Sequence, residues 1–296
     1  MKPDRDGQRL DNFIQAQLKG VPRSLVYRLI RTGQVRINGG RAKPATRLAA
    51  GDEVRLPPAT VTADKPAAIP EWALQAVRNR IVERTESYFV VNKPSGMAVH
   101  AGSGLAWGLV DVMRTLMPDE AIELVHRLDR ETSGLLLLAR DASSLRALRL
   151  CFSKHRADKR YLCLVHGVPA DSRMVVDAPL AESRRGGEKT MTVAEQGKPA
   201  LTEFLLLERY GPYSYLEARP RTGRTHQIRA HAAHMGTPLA GDSRYGTAAL
   251  AALDRESGLD RLFLHAHSLS LEFPEGQSVH YNAPLPQRLS AFLGRL

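Results

Sequence analysis

From Pro57 to about Ala76 the chain is alanine-rich and broken by Pro57, Pro58, Pro66 and Pro70. Each proline fixes φ and removes a backbone donor, so a stretch punctuated this densely reads as a semi-stiff linker rather than part of a core. It divides the 296 residues into a small unit (1–58), a linker (59–80) and a large unit (81–296). That length suits one large domain plus a small one.

Charge is distributed unevenly across that division. Lys and Arg outnumber Asp and Glu by 42 to 31, giving a net +11 and a pI near 9.9. Residues 1–58 hold 12 Lys/Arg against 5 Asp/Glu, a net +7, so most of the surplus sits in the first fifth. A small, locally basic unit fits a module that binds a polyanion, with nucleic acid first and an acidic membrane surface second. The two cysteines, Cys151 and Cys163, stand in no metal-binding or redox spacing, which argues against a disulfide framework and for a reducing compartment. The start, Met1 to Asp6, lacks the apolar core of a signal peptide, and no apolar run approaches the ~20 residues needed to cross a bilayer. A cytoplasmic protein, with no membrane partner, is expected.

In the small unit, Leu10, Phe13, Ile14 and Leu18 recur at helical spacing. A second helix is expected from Ser24, as N-cap, to Arg31, burying Leu25, Val26, Leu29 and Ile30 and leaving Arg28 and Arg31 on the other side. Val35-Arg36-Ile37 alternates as a strand and runs into Asn38-Gly39, a hairpin signal; Val54-Arg55-Leu56 gives a last strand after Gly51-Asp52. The order and spacing of Arg9-Leu10-Asp11, Tyr27 to Arg31, Gly33 to Gly39 and Gly51 to Val54 resemble the S4 RNA-binding domain over about residues 8–57. The resemblance implies backbone-level binding of structured RNA, with Arg28, Arg31, Arg36 and Arg41 as candidate phosphate contacts; the plainer reading is a solvated basic face.

In the large unit, apolar runs at Tyr88–Val91, Leu135–Ala139, Tyr161–Val165, Phe204–Leu207 and Leu262–Leu271 read as strands, and Gly108–Met117, Ser143–His155 and Thr225–Met235 as helices. Strands often follow one another with no helix between them. The expected class is therefore α+β, with a mainly antiparallel mixed sheet. Ala248–Asp260 reads as a variable or substrate-contacting loop.

Chemistry concentrates in His126-Arg127-Leu128-Asp129-Arg130-Glu131-Thr132-Ser133-Gly134, which runs into four leucines and an alanine. Such an apolar run suggests a strand buried on both faces, with the polar cluster at its mouth. Asp129 lies between Arg127 and Arg130, and nearby cations favour an ionised carboxylate that can act as a nucleophile. On residues alone, a structural Arg–Asp pair is the better reading of the same pattern.

That stretch is similar to the signature of the RluA-type pseudouridine synthases, and three further blocks agree in order. They are Asn92 to His100, Lys159 to Gly167, and Thr222 to His231 continuing at Gly241 to Gly246, with Leu264-His265-Ala266 also fitting. The resemblance implies that Asp129 attacks the target uridine and that Tyr161 packs against the flipped uracil. It further implies that Arg229 pairs with the aspartate and that Arg127 fills the gap left by the extruded base. Glu131 stands where Asp is also common in the family. Breaking the N1–C1′ bond and rejoining the base through C5 is redox-neutral, so no cofactor is expected, and no glycine fingerprint for a dinucleotide appears. Attack at ribose C1′, attack at uracil C6 and a glycal route all remain open.

Gln17 to Pro22, Ser95 to Leu105 and Arg261 to Ala266 look close to the RluC branch of the family, which implies 23S ribosomal RNA, or a precursor large subunit, as partner. Transfer RNA is the alternative substrate, and a non-catalytic RNA-binding factor the alternative class. Thr225 is expected to cap a helix whose free N–H groups favour a phosphate, with Arg221 and Arg224 adding charge beside it. His226, His231 and His234 lack a partner carboxylate at a metal-binding spacing, so no metal is expected. Nothing in the sequence demands more than a monomer.

Overall fold

The computed structural model describes residues 7–18, 21, 23–57, 68–101, 105–273 and 276–296. Among the features read from sequence, the Met1–Asp6 start, Lys19, Gly20, Pro22, Pro58, Pro66 and Gly102–Gly104 lie outside those residues. The chain forms two compact units, Met1–Ala68 and Ile69–Leu296.

The first unit packs α1 (Leu10–Gln17) and α2 (Arg23–Arg31) against a small antiparallel sheet of β1 (Arg36–Ile37), β2 (Gly40–Arg41) and β3 (Val54–Arg55), in the order β2-β1-β3. Leu10, Ile14, Val26, Ile30, Val35 and Leu48 form its core. The hairpin turns on Asn38 and Gly39, both at positive φ, which matches the twist of the strands they join. The second helix begins at Arg23, so Ser24 stands inside it rather than at its cap.

The second unit opens with α3 (Glu71–Arg78), where the linker was expected to continue to residue 80. Ala73 and Val77 are fully buried in the main core, and Pro70 takes the cap position, where its missing N–H costs nothing. The proline density thus marks a helix start as well as a connection. The chain continues through β4 (Ile81–Arg84), β5 (Tyr88–Lys93), α4 (Leu109–Leu116), β6 (Glu123–Leu124), β7 (Ser133–Ala139), α5 (Ala142–Ser153) and β8 (Ala157–His166). Next come β9 (Arg173–Asp177), β10 (Leu180–Arg185), β11 (Glu188–Val193), β12 (Leu201–Tyr210), β13 (Tyr213–Pro220) and α6 (Gln227–His234). The chain ends with α7 (Ala248–Glu256), β14 (Leu264–Glu272), β15 (Ser278–Asn282) and α8 (Gln287–Leu293).

Ten of these strands form one sheet with the path β4-β5-β7-β14-β8-β13-β12-β9, to which β15 adds at β14 and β6 at β7. Every pairing in it is antiparallel except β7 with β14. The class is the expected α+β with a mixed, mainly antiparallel sheet. All seven residues of β7 are buried, and the leucines alternate between two cores. Leu136 and Leu138 meet α3 and α4, whereas Leu135 and Leu137 meet Leu148 of α5 and Leu269 and Leu271 of β14. Each such side chain contributes about 1.5–3 kcal/mol by leaving water. Burial on both faces holds the loop before β7 against a rigid floor.

Ala248–Asp260 contains a helix, not a loop. Asp254 of α7 is buried and accepts hydrogen bonds from the Tyr213 hydroxyl at 3.1 Å and the Gly241 amide at 2.8 Å, and it contacts His166 Nε2 at 3.1 Å. The segment anchors the loop that carries Asp242.

Candidate active site

The loop between β6 and β7 places Asp129 at the floor of a cleft of about 420 Å³, with Arg127, Lys159, Tyr161, His226 and Arg229 in its lining. The polypeptide there is held from below. Lys93, fully buried at the end of β5, donates to the carbonyls of Pro94 at 3.0 Å, Met97 at 2.9 Å and Arg130 at 3.1 Å. Burial pushes its ammonium down to about 7, against the opposing charges of Asp129 and Glu131. Ser95 donates to the Glu131 carbonyl at 2.6 Å. The Asn92–His100 block and the His126–Gly134 stretch are thereby tied together through the backbone.

Asp129 is largely enclosed, with 15% of its side chain exposed. Among the described residues, the basic side chains within 4 Å of its carboxylate are Arg229, with Nη1 at 3.9 Å from Oδ2, and His226, with Nε2 at 3.9 Å from Oδ2. The flanking arginines that drew attention in the sequence are not these. Arg130 turns its Nε to the Gly96 carbonyl at 2.9 Å, and Arg127 is exposed on the cleft wall. Adjacent residues on an irregular loop point different ways, so sequence adjacency does not place a charge beside the carboxylate.

Arg229 is pinned by a different acid. Its Nε and Nη2 donate to Asp242 Oδ2 and Oδ1 at 2.7 and 2.8 Å, a fully buried fork-to-fork pair, and its guanidinium lies 5.2 Å from the Tyr245 ring centroid. The remaining Nη1 is buried without a hydrogen-bond partner and faces both Asp129 and Glu131, the latter at 3.8 Å. Burial disfavours the cation, and the acids around it outweigh that penalty, so its pKa is raised. The pairing expected between Arg229 and the aspartate is thus a charge held within reach while Asp242 takes the direct bonds.

Tyr161 lies on β8, with backbone partners Ala218 and Ala266, and is buried against the cleft. Burial first and the charge of Asp129 second push its phenol well above the ordinary value, so the ring stays neutral and apolar. It is suited to meet the face of a base.

The third block differs in detail from expectation. Its helix α6 starts at Gln227 and is preceded by His226 in the left-handed region (φ 52°, ψ 21°), so Thr225 is not the cap. Gln227 Oε1 accepts from the Arg224 amide at 3.0 Å and from Thr222 Oγ1 at 2.7 Å, closing the turn on itself. Arg221 forks onto Glu203 at 2.7 and 2.9 Å, and Arg224 donates to the Pro199 carbonyl at 2.9 Å. Both line the cleft; Arg221 is paired with an acid, whereas the bond of Arg224 goes to a neutral carbonyl and leaves its charge in place. Lys159 was not singled out by the sequence. Its Nζ lies 3.3 Å from the Thr222 carbonyl, and burial, opposed by Asp158, brings it down to about 8.

The histidines serve mainly structural bonds. His231 is held between Thr202 Oγ1 at 2.9 Å and the Ala178 carbonyl at 3.0 Å, while His126 stacks on Phe152 and accepts from the Leu137 amide at 3.2 Å. Among the described residues no three His, Cys, Asp or Glu side chains are grouped to hold a metal, and no helix is long and apolar enough to cross a membrane.

In the first unit, Arg28 and Arg31 flank a concavity closed by Lys43 and Pro44, with the exposed Tyr27 at its edge. Arg36 faces a separate recess with Arg55 and Glu53, and Arg41 lies over Gly33. Arg36 and Arg41 are also cross-strand partners in the β1–β2 hairpin.

Residues 87–234 match the family model of RNA pseudouridylate synthase, and residues 8–54 match that of the S4 domain. The chain is 45% identical to ribosomal large subunit pseudouridine synthase C of Pasteurella multocida, over 99% of this chain and 91% of that one. It is 42% identical to the protein of the same name from Escherichia coli, over 99% and 94%. The solved structure of human RNA pseudouridylate synthase domain containing 1 superposes with a TM-score of 0.60 at 31% identity, covering 72% of this chain and 86% of that one. Likeness of this extent, together with the arrangement of the cleft, makes the chain a member of the RNA pseudouridylate synthase family, an isomerase family, with an S4 domain ahead of its synthase domain.

Proposed function

We propose that the chain converts uridine to pseudouridine in large-subunit (23S) ribosomal RNA, with Asp129 as nucleophile. The observation that carries this reading is an enclosed carboxylate at the floor of a cation-lined cleft, 3.9 Å from the unbonded Nη1 of a buried arginine. A preorganised cation of this kind stands beside the carboxylate without occupying it in a direct bond. The uridine leaves its stack to reach the site, which costs a few kcal/mol. Tyr161 gives the extruded base an apolar face, and Arg127, exposed on the rim, enters the space the base vacates. Lys159, Arg221 and Arg224 make the cleft attractive to the phosphates on either side.

The substrate assignment rests on the relatives, whose names specify the large ribosomal subunit. The S4 unit (residues 1–58) supplies further binding to structured RNA through Arg28 and Arg31 with Lys43, and through Arg36 and Arg41. The connection after it reaches the synthase unit at α3. A monomer acting in the cytoplasm on naked RNA or on a precursor subunit completes the reading.

Pseudouridine mapping by carbodiimide adduct and primer extension tests it, on 23S RNA and on precursor particles, with wild type and Asp129→Asn. Discrete stops with wild type alone, and RNA binding retained in the variant, are the expected result. Stops with both proteins remove Asp129 from its role. Stops on transfer RNA only would overturn the substrate, and none on any RNA would favour a binding factor.

A further inference from the structure

His226 is held in a way that the sequence motif alone does not explain. It is buried at 8% exposure in a left-handed conformation (φ 52°) that costs a non-glycine residue roughly 1 kcal/mol or more. The strain puts its ring where a helical residue would not. His226 and Arg229 are three residues apart at the start of α6, and both approach Asp129 from the same side.

The hydrogen bonds around the ring favour one tautomer. The Met191 amide donates to the Tyr245 hydroxyl at 2.7 Å, so that oxygen is already serving as an acceptor. We assign its own proton to His226 Nδ1, 3.0 Å away. With Nδ1 accepting, the neutral imidazole carries its hydrogen on Nε2, the atom nearest Asp129. Burial favours that neutral form, opposed by the charge of Asp129 and aided by Arg229 and Arg244. The donors run from the β11 backbone through Tyr245 to His226, whose Nε2 stands 3.9 Å from the Asp129 carboxylate.

We propose that His226 is a positioning residue: its Nε2–H and the free Nη1–H of Arg229 hold one carboxylate oxygen of Asp129, Oδ2, and present the other, Oδ1, to the uridine. Both donors have Oδ2 as their nearer oxygen, at 3.9 Å. That distance exceeds a hydrogen bond by about 1 Å, and the contacts tighten when the base displaces solvent from the cleft. A carboxylate gripped at one oxygen cannot rotate, which fixes the direction of attack. The inference rests on Asp129 being the nucleophile.

The test compares single-turnover rates on 23S transcript for wild type, His226→Ala, His226→Gln and Tyr245→Phe, with RNA affinity and thermal midpoint measured for each. Asp129→Asn is the control. His226→Ala is expected to slow the reaction about 100-fold with affinity changed less than about twofold, as for loss of one preorganised donor. His226→Gln, whose side-chain amide can donate from a similar place, recovers about tenfold of that loss. Tyr245→Phe keeps the ring against Arg229 but frees the imidazole tautomer, and falls between wild type and His226→Ala. A His226→Ala rate within about twofold of wild type, with Asp129→Asn inactive, overturns the inference and leaves the nucleophile standing. Equal losses in the Ala and Gln variants, with lowered midpoints in both, also overturn it in favour of a packing role. An active Asp129→Asn variant removes the reading on which it rests.

Discussion

Arg229 combines two demands that pull against each other at a single residue. A guanidinium only 2% exposed needs full compensation, yet the role proposed for it beside Asp129 requires that a donor stay free. The fork solves this because Arg has five donors in a fixed plane: one edge goes to Asp242 and Nη1 is left over. Asp242→Ala should therefore damage stability more than an ordinary surface change, by about 3–5 kcal/mol, because it strands a buried charge. A urea unfolding midpoint unchanged from wild type would refute that account. Asp129, Tyr161 and Arg229 could be picked out in the sequence because each sits in a block of familiar pattern. Asp242, His226 and Lys159 could not, although all lie in those same blocks. Their roles arise from approaches the chain order does not encode: Asp242 is 13 residues from the arginine it anchors, and His226 departs from helical geometry one residue before α6.

The element that decides the site's rigidity is β7, together with its one parallel neighbour. Four leucines announced a doubly buried strand, and the strand is buried throughout. What the run could not announce is why Gly134 ends the polar cluster. Gly134 has φ +116°, and a Cβ built on it would lie 2.2 Å from the Ala266 carbonyl oxygen of β14. The glycine is a requirement of strand approach, five residues after Asp129, rather than of chemistry. Gly134→Ala must push β14 away from β7 or fail to adopt the backbone angle, and should lose more than about 3 kcal/mol of stability. Its soluble yield and thermal midpoint should drop together. A variant that folds with a wild-type midpoint would show that β14 yields freely, and the rigid-floor argument would fall with it. The same element shows why topology was hidden: β14 enters between β7 and β8 from more than a hundred residues downstream, a pairing no local pattern reveals.

Across the whole synthase unit, the β7–β14 junction is also where stability couples to pH. A hydrogen-bond chain crosses it: Arg261 Nη2 donates to Ser133 Oγ at 2.8 Å, Ser133 to His265 Nδ1 at 2.9 Å, and His265 Nε2 to the Ala283 carbonyl at 3.2 Å. With Nε2 donating to the carbonyl, the neutral form of the fully buried ring leaves Nδ1 to accept from Ser133. Burial is the main reason its pKa falls to about 4, and burial with Lys159 nearby takes His126 to about 3, both from an ordinary 6.5. Below about pH 6.5 the unfolded chain binds protons at these positions that the native state refuses. The unfolded state then holds more protons, so stability falls as pH falls, and the loss continues down to about pH 4 and pH 3 for the two rings. Each ring contributes about 1.4 kcal/mol per pH unit inside that window. Both tryptophans, Trp72 and Trp107, lie in this unit with ring centroids 5.6 Å apart, so their fluorescence follows its unfolding and not that of the S4 unit. Urea titrations read by that signal should show a stability loss of several kcal/mol between pH 6.5 and pH 5. A flat profile over that interval would mean that the two rings accept protons in place, and the neutral chain across the junction would not be what holds the halves of the sheet together.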